Sequence, residues 1–333
     1  MNRFEYARAT SFKEARDMLG RGDHRLPVLK AGGMDLVDHM KEGLLEPDLV
    51  VDISRLGPKA PELQVGEGGP SRVAFHANAT LDDLAHSKVV LEHTPVLAQA
   101  SASAATPQIR NVASAAGNLL QRPRCWYYRH REFDCLKKGG SRCFAAEGEN
   151  AYHAIFGDGP CHIVHPSNIA PALIVCNGVV HVEGGDRDTI PVRDLFHMPD
   201  RGIRDEHNLK QGEVITRITA EQRPMSAFAV IKHKQSFDWP LVFACVALDV
   251  RDRKIVDASV CAGAVAPVPW PLDHVAKALV GLRTDDEQGV KRACDRSTEG
   301  AEPMTDNAYK MDLLPVAVRR AVRKAAGLPV EEL

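Results

Sequence analysis

The 333-residue sequence contains no apolar run that approaches the roughly 20 residues needed to cross a bilayer. Its first residues lack a basic start followed by an apolar core, so we expect no export leader. The formal charge is only -2, from 42 basic and 44 acidic residues, which does not indicate a polyanion or a membrane surface as a partner. We therefore expect a cytoplasmic protein, or a periplasmic one if a signal-bearing partner carries it across a membrane already folded.

The length fits two or three domains, each able to bury its own core without disulfides. No internal repeat is visible, and helix-like and strand-like patterns alternate along the first lobe. Residues 121–165 are rich in charges and glycine and have little apolar periodicity, so they indicate an insertion held by something other than an apolar core. The predicted domains are 1–56, 57–224 with this insertion, and 225–333.

Several local patterns predict individual elements. Residues 171–175 are predicted as a strand, and residues 106–120 as a loop rich in Gly, Ala and Asn. The third domain is predicted to contain a long apolar strand at 239–250, its hairpin partner at 255–263, and later helices.

A first glycine loop follows a predicted strand at residues 27–30. Gly32 and Gly33 permit unusual backbone angles and close approach, and the helix that follows presents unpaired N–H groups to an anion. Glycine punctuates many strand–helix junctions, so the same pattern also fits a simple tight turn.

A second loop, at residues 106–119, packs small residues and amide side chains without an apolar period. A loop of 14 residues with this composition inside a compact domain is usually functional. The second loop is therefore the more informative of the two.

Four of the eight cysteines, Cys125, Cys135, Cys143 and Cys161, fall within 37 residues of the insertion. Arginines and lysines surround them, which would lower thiol pKa values and offset the charge of an iron–sulfur centre. Zinc is the main competitor, although the paired C-x2-4-C arrangement that zinc sites usually use is absent from the sequence. Unrelated free thiols are the third possibility, because irregular spacing discriminates poorly.

The motifs as a set resemble a known family. The segments 30–36 and 108–118, followed in order by 237–241, 263–270 and 306–310, are similar to the flavoprotein subunits of molybdenum hydroxylases of the aldehyde and xanthine dehydrogenase type. This resemblance implies an α+β fold, in which a two-part vanillyl-alcohol-oxidase-like (PCMH-type) FAD-binding domain precedes a small α/β C-terminal domain of the CO dehydrogenase flavoprotein type.

The resemblance also implies the cofactor contacts. Both glycine loops would bind the FAD diphosphate, with the flavin ring at the junction with the C-terminal domain. Met34 stands where the family often has Thr or Asn. Asn168 stands where the family often has Asp. The implied FAD-binding residues are Lys30, Ala31, Gly32, Gly33, Met34, Asp35, Leu36, Thr106, Gln108, Ile109, Arg110, Asn111, Ala115, Gly117, Asn118, Leu119 and Asn168.

The cysteine insertion resembles that of the FAD subunits of periplasmic-type aldehyde oxidoreductases, especially over residues 122–129. It implies a [4Fe–4S] cluster held by Cys125, Cys135, Cys143 and Cys161. The 4-hydroxybenzoyl-CoA reductase flavoprotein carries a similar insertion, so this feature does not identify the substrate.

The expected function is electron transfer within a heteromeric enzyme. A large molybdenum-cofactor subunit and a small [2Fe–2S] subunit would be the partners, in a heterotrimer or its dimer, and an external acceptor would receive the electrons. The chain itself is expected to supply no acid, base or nucleophile, because the chemistry belongs to the cofactor. A stand-alone FAD oxidoreductase of the same fold and a zinc-bearing scaffold without flavin are the alternatives.

Overall fold

The structure, a computed structural model, describes residues 1–58, 60–66, 68–234 and 237–330. Within these ranges the strands form three sheets, and each sheet takes its strands from one of the three predicted domains. The domain bounds stay a prediction, and residues 331–333 of the third domain lie outside the described part. In the described ranges, no helix combines the length and the apolar character needed to cross a membrane.

The first sheet is parallel, with its strands in the order β1-β3-β2. The central strand consists of a short apolar run and an aspartate, all of them buried, as expected for a strand with a neighbour on each side. This lobe has the predicted alternation of strands and helices, namely β1 (Glu5–Arg8), α1 (Phe12–Leu19), β2 (Pro27–Lys30), α2 (Leu36–Lys41) and β3 (Leu49–Asp52).

The second sheet is antiparallel, in the order β4-β5-β8-β6-β7, and packs against buried helices. Its central strand, β8, had not been predicted from the sequence. The elements of this region are β4 (Glu62–Gln64), β5 (Arg72–His76), α3 (Leu81–His86), α4 (Lys88–His93), α5 (Pro95–Ser103), α6 (Pro107–Arg110), α7 (Ala115–Leu119), α8 (Trp126–Arg129), α9 (Ile169–Val175), β6 (Val179–Glu183), β7 (Thr189–Pro191), α10 (Val192–Leu195) and β8 (Val214–Glu221).

Two sequence predictions in this region were wrong. The predicted strand at 171–175 lies within α9, whose seven residues are all buried, and a short run that is apolar on every side has no periodicity to separate a helix from a strand. The predicted loop at 106–120 contains the short helices α6 and α7. The hydroxyls of Thr106 and Ser114 cap them by accepting hydrogen bonds from Ile109 N and Gly117 N.

The third sheet is antiparallel, in the order β12-β11-β10-β9. The predicted long strand and its hairpin partner are confirmed, with Cys245 paired opposite Cys261. The elements are β9 (Ser226–Lys232), β10 (Pro240–Arg251), β11 (Lys254–Gly263), β12 (Trp270–Pro271), α11 (Asp273–Leu279), α12 (Glu287–Asp295) and α13 (Lys310–Ala325).

Strand β10 is apolar along most of its length because both of its faces are buried. Phe243 and Cys245 belong to the core shared with α5 and α9, whereas Val242 and Ala244 belong to the core under α13. The C-terminal sheet therefore lies between helices α5 and α9 of the second predicted domain and its own long helix, α13. This shared packing fixes the junction at which the predicted flavin site lies.

Candidate functional site

The two glycine loops lie directly against each other. A carbon atom added to Gly32 Cα would lie 2.0 Å from the backbone oxygen of Val112, a distance that real Cβ atoms essentially never show. Gly33 has a φ of +78°, in the left-handed region that favours glycine. The structure thus brings together the two loops that the sequence predicted to act as a pair, and their close approach depends on the missing side chain at position 32.

The first loop offers backbone donors at this contact. Within the described residues, no protein acceptor takes the N–H groups of Gly32, Gly33 and Met34. The Met34 side chain is 45% exposed, so an apolar surface lies beside these donors. The aliphatic part of Lys30 lies against Gly33, and its Nζ is 3.4 Å from Asp52 Oδ1. The loop therefore combines free N–H groups with an uncovered apolar side chain, a combination that fits a diphosphate attached to an aromatic ring system.

In the second loop, the predicted binding residues divide into an exposed and a buried set. Gln108, Ile109, Asn111 and Gly117 are exposed, so they are available to a ligand. The buried members have structural contacts. Ala115 and Leu119 belong to the core beneath the loop, the Oδ1 of Asn118 accepts a hydrogen bond from the Ser167 hydroxyl at 2.7 Å, and Asn168 precedes α9 without capping it.

Arg110 stabilises the backbone at the start of the second loop. Its Nη1 donates to the carbonyl oxygens of Ala104 and Ala105, each at 3.0 Å. Ala105 has a φ of 43°, which is unusual for a residue with a side chain. The Arg110 Nε is buried without a hydrogen-bond partner among the described residues, so one donor of this guanidinium is unsatisfied there.

Asp35 joins the first loop to the cysteine insertion. Its Oδ1 lies 2.9 Å from Arg124 Nη1 and 2.7 Å from Arg129 Nη2, and its Oδ2 accepts a hydrogen bond from Arg122 N at 2.8 Å. Burial alone would raise the pKa of Asp35, but the Arg124 charge and the Arg122 N–H outweigh it and hold that pKa below the ordinary value. Both carboxylate oxygens are thus engaged by the insertion.

The four cysteines of the insertion line one small cavity. Sequence analysis selected these four, and the structure brings them together. Within the described ranges, no group of three or more His, Cys, Asp or Glu side chains is arranged to hold a single metal ion. The cysteines outside the insertion, Cys176, Cys245, Cys261 and Cys294, are buried in the apolar cores, as their surroundings in the sequence indicated.

The thiols of the cavity differ in their environments. Burial raises the pKa of Cys125 to about 11. A hydrogen bond from Cys161 lowers the pKa of Cys143, with help from nearby backbone N–H groups. Lys137, which also lines the cavity, is buried, and its Nζ lies 2.5 Å from the Glu206 carboxylate. These charged groups stabilise a segment that has few apolar residues of its own.

A series of ring contacts leads away from the cavity. The His153 ring, which lines the cavity, lies 5.3 Å from the Trp126 ring, and Trp126 lies 5.9 Å from Tyr152. Tyr152 in turn lies 5.9 Å from His233, measured between ring centroids. His233 lines a second cavity, so packed rings connect the two cavities without a gap in the series.

The second cavity is a cleft between the second predicted domain and the C-terminal domain, with about 1210 Å³ of empty space that includes open solvent. Its basic lining residues are Arg110, Lys232, His233, Lys234 and Arg320. The Nζ of Lys232 donates to Ser103 O at 3.0 Å, and burial lowers the pKa of Lys232. The absence of acidic residues from the described lining favours an anionic ligand.

Sequence analysis had not assigned roles to three residues near these cavities. His153 and Tyr152 belong to the ring series, and Trp239 is half exposed with the Arg124 guanidinium 5.2 Å from its ring. Only Trp239 had a signal in the sequence, as part of the motif at 237–241. The other two could not be found because their role depends on neighbours distant along the chain.

Two family models match this chain. Residues 2–220 match the FAD binding domain in molybdopterin dehydrogenase, and residues 226–325 match the CO dehydrogenase flavoprotein C-terminal domain. Together they cover almost all of the described residues, in the order that the motifs indicated. The α+β fold implied by the resemblance is therefore confirmed.

Individual proteins show the same similarity. The chain is 30% identical to the aldehyde oxidoreductase FAD-binding subunit PaoB of Escherichia coli, over 93% of this chain and 94% of that protein. It is also 30% identical to the carbon monoxide dehydrogenase medium chain of Hydrogenophaga pseudoflava, over 97% of each.

A solved structure of carbon monoxide dehydrogenase from Hydrogenophaga pseudoflava superposes with a TM-score of 0.73 at 23% identity, covering 98% of both chains. Quinoline 2-oxidoreductase from Pseudomonas putida gives the same TM-score at 18% identity, again over 98% of both chains, which shows the shared fold. From its two family models, its relatives and its fold, the chain belongs to the FAD-binding medium subunits of the molybdenum hydroxylase family of oxidoreductases.

Proposed function

We propose that this chain binds FAD across its two glycine loops and transfers electrons within a heteromeric, molybdenum-containing aldehyde oxidoreductase. A large molybdenum-cofactor subunit and a small [2Fe–2S] subunit are the proposed partners, and an external acceptor receives the electrons. The observation that carries the proposal is the contact between Gly32 and Val112, which joins two separate backbone segments into one binding surface. The similarity to an aldehyde oxidoreductase subunit supports the substrate class.

In this proposal, the loop N–H groups of Gly32, Gly33 and Met34 bind the diphosphate. The uncovered side chains of Met34 and Ile109 would pack against the dinucleotide, and the basic junction cleft would hold its ring end. FAD, when bound, supplies the redox chemistry that no side chain here provides. The protein's own contribution is to bind and orient the cofactor and to keep positive charge beside it.

We further propose that the four-cysteine cavity holds a [4Fe–4S] cluster. Four thiolates around one zinc ion would converge to Zn–S distances of about 2.3 Å, and the structure shows no such single-ion arrangement in its described ranges. A cluster places iron and sulfide among its four thiolates, and the four cysteines line one cavity in the structure. The ring contacts from His153 to His233 link this cavity to the junction cleft.

Purification of the untagged complex tests the whole proposal. We expect the chain to co-purify with two partners, with a flavin absorption spectrum, and with molybdenum, iron and acid-labile sulfide. A chain that is isolated alone and turns over a substrate fully would contradict the subunit role. A colourless chain that contains zinc would instead support a scaffold without flavin.

Replacing Cys143 with alanine should remove the iron while sparing the flavin. Cys143 lines the cavity and belongs to the predicted ligand set. For the whole complex, we expect the loss of about four iron atoms per copy of this chain, because a [4Fe–4S] cluster is held by four cysteine thiolates, while the iron of the partner's [2Fe–2S] clusters remains. Metal analysis, together with the flavin content after denaturation, measures both effects in one sample.

Cys294→Ala is the matched control, because Cys294 is fully buried in the C-terminal core, away from the cavity. It should keep the iron of the parent protein. Equal iron loss in both variants, or zinc in the parent, would contradict the cluster assignment.

A further inference from the structure

The segment that precedes Cys161 is attached to the C-terminal domain through the backbone of residues 150–154. Asn307 donates its Nδ2 hydrogens to the carbonyl oxygens of His153 and Ala154, both at 3.1 Å. The Asn150 Oδ1 accepts a hydrogen bond from Asp306 N at 2.9 Å. The motif at 306–310, one of the segments that carried the family resemblance, therefore holds part of the cysteine insertion in place.

Lys310 strengthens this attachment from a fully buried position. Its Nζ donates to three carbonyl oxygens, those of Tyr152 at 3.2 Å, His153 at 2.8 Å and Ala264 at 2.7 Å. No salt bridge joins Lys310 to a carboxylate in the described part of the chain. Burial lowers the pKa of Lys310 to about 7. Burying an ammonium group costs desolvation free energy, which its hydrogen bonds to the carbonyl oxygens offset. These hydrogen bonds hold the backbone of residues 152 and 153 in position.

The fixed backbone directs the His153 ring toward the cysteine cavity. Its Nε2 lies 3.3 Å from the Cys125 sulfur, within the range of a hydrogen bond to sulfur. The ring is 3% exposed and packs edge-on against Trp126, which limits its rotation. Its other nitrogen, Nδ1, is buried without a hydrogen-bond partner among the described residues. The Cys125 sulfur is thus the polar group that the ring is oriented to meet.

The chemistry of the pair decides which atom donates. A metal-bound cysteine is a thiolate, which accepts hydrogen bonds and has no proton to donate. The ring proton at this contact must then be on Nε2. A donor directed at a cluster sulfur stabilises the more negatively charged, reduced state more than the oxidised state, and so raises the reduction potential.

We propose that His153 donates a hydrogen bond from Nε2 to the Cys125 thiolate and thereby raises the reduction potential of the centre in the cysteine cavity. This inference rests on the proposed iron–sulfur cluster. It adds a residue outside the ligand set that tunes the centre, and it gives the C-terminal motif a part in that tuning. No proton is transferred in this interaction, because the hydrogen stays on His153 Nε2 while the sulfur accepts the hydrogen bond.

The test compares three variants in the complete complex. His153→Phe keeps an aromatic ring against Trp126 but removes the donor, whereas His153→Gln keeps an N–H donor and loses the ring. His130→Phe is the matched control, because His130 is an exposed histidine of the same insertion that contacts Phe133 and no sulfur. The measurements are the iron content and the midpoint potential of the cluster from an electron paramagnetic resonance titration.

We expect His153→Phe to keep its iron and to show a lower midpoint potential. A tenfold smaller equilibrium constant for reduction corresponds to about 59 mV for one electron. His153→Gln should lie nearer to the parent potential, and His130→Phe should equal it. An unchanged potential in His153→Phe, with its iron retained, overturns the inference and leaves the cluster proposal standing.

Two further outcomes also decide the matter. Loss of iron from both His153 variants would show that the centre needs His153 for its assembly and not for its potential, which overturns the inference. A parent complex with no iron beyond that of the partner's [2Fe–2S] clusters would overturn the cluster proposal itself, and the inference with it. The failure of the tuning role is therefore distinguishable from the failure of the proposed function.

Discussion

Gly32→Ala is expected to yield a folded protein that binds FAD about 100-fold more weakly than the parent. The added methyl carbon would lie 2.0 Å from the Val112 backbone oxygen, so the two loops must separate. Overpacking of this kind costs up to about 3 kcal/mol, and each tenfold loss of affinity corresponds to about 1.4 kcal/mol. The flavin content of the purified protein and the dissociation constant from flavin fluorescence titration measure the effect.

The control for this substitution is Gly20→Ala in the same lobe. A carbon added at Gly20 would lie no closer than 3.5 Å to the backbone oxygen of Arg16, which is ordinary van der Waals contact. Parent-like flavin content is expected in this variant. If Gly32→Ala also retained stoichiometric FAD with unchanged affinity, the paired-loop assignment would be lost.

Asp35→Ala should loosen the glycine loop and the cysteine insertion together. It leaves Arg124 and Arg129, both largely buried, without their shared carboxylate, and it removes the acceptor of Arg122 N–H. Breaking a fully buried pair costs about 3 to 5 kcal/mol. Because Asp35 is 19% exposed, we expect about 2 to 3 kcal/mol, allowing for solvent screening.

The measurements for Asp35→Ala are the melting temperature, the FAD content and the iron content. We expect both cofactors to be depleted, because Cys125 lies in the segment that Asp35 anchors. Asp38→Ala is the graded control on the same helix. Asp38 pairs with Arg129 but is about half exposed, so its loss should cost less than about 1 kcal/mol. Equal effects in the two variants would show that general helix damage is responsible.

Sequence analysis predicted the parts of the molecule whose pattern is local. The alternating elements of residues 5–52 and the long strand β10 with its partner β11 appear where their patterns placed them. The family was found in the same way, because its motifs follow one another in order, and the family models confirm it. The segment 171–175 was wrongly predicted as a strand, because its apolar run is consistent with either a helix or a strand.

By itself, the sequence determined the membership in the flavoprotein family, the two glycine loops, and the selection of four cysteines from eight. These follow from short motifs and local composition, which can be interpreted without knowing which distant residues are in contact. Only the tertiary structure decided that Gly32 touches Val112, that Asp35 is engaged by arginines of the insertion, and that His153 reaches Cys125. Each of these pairs lies at least 28 residues apart, as His153 and Cys125 do, and such contacts are set by packing, which local pattern does not encode.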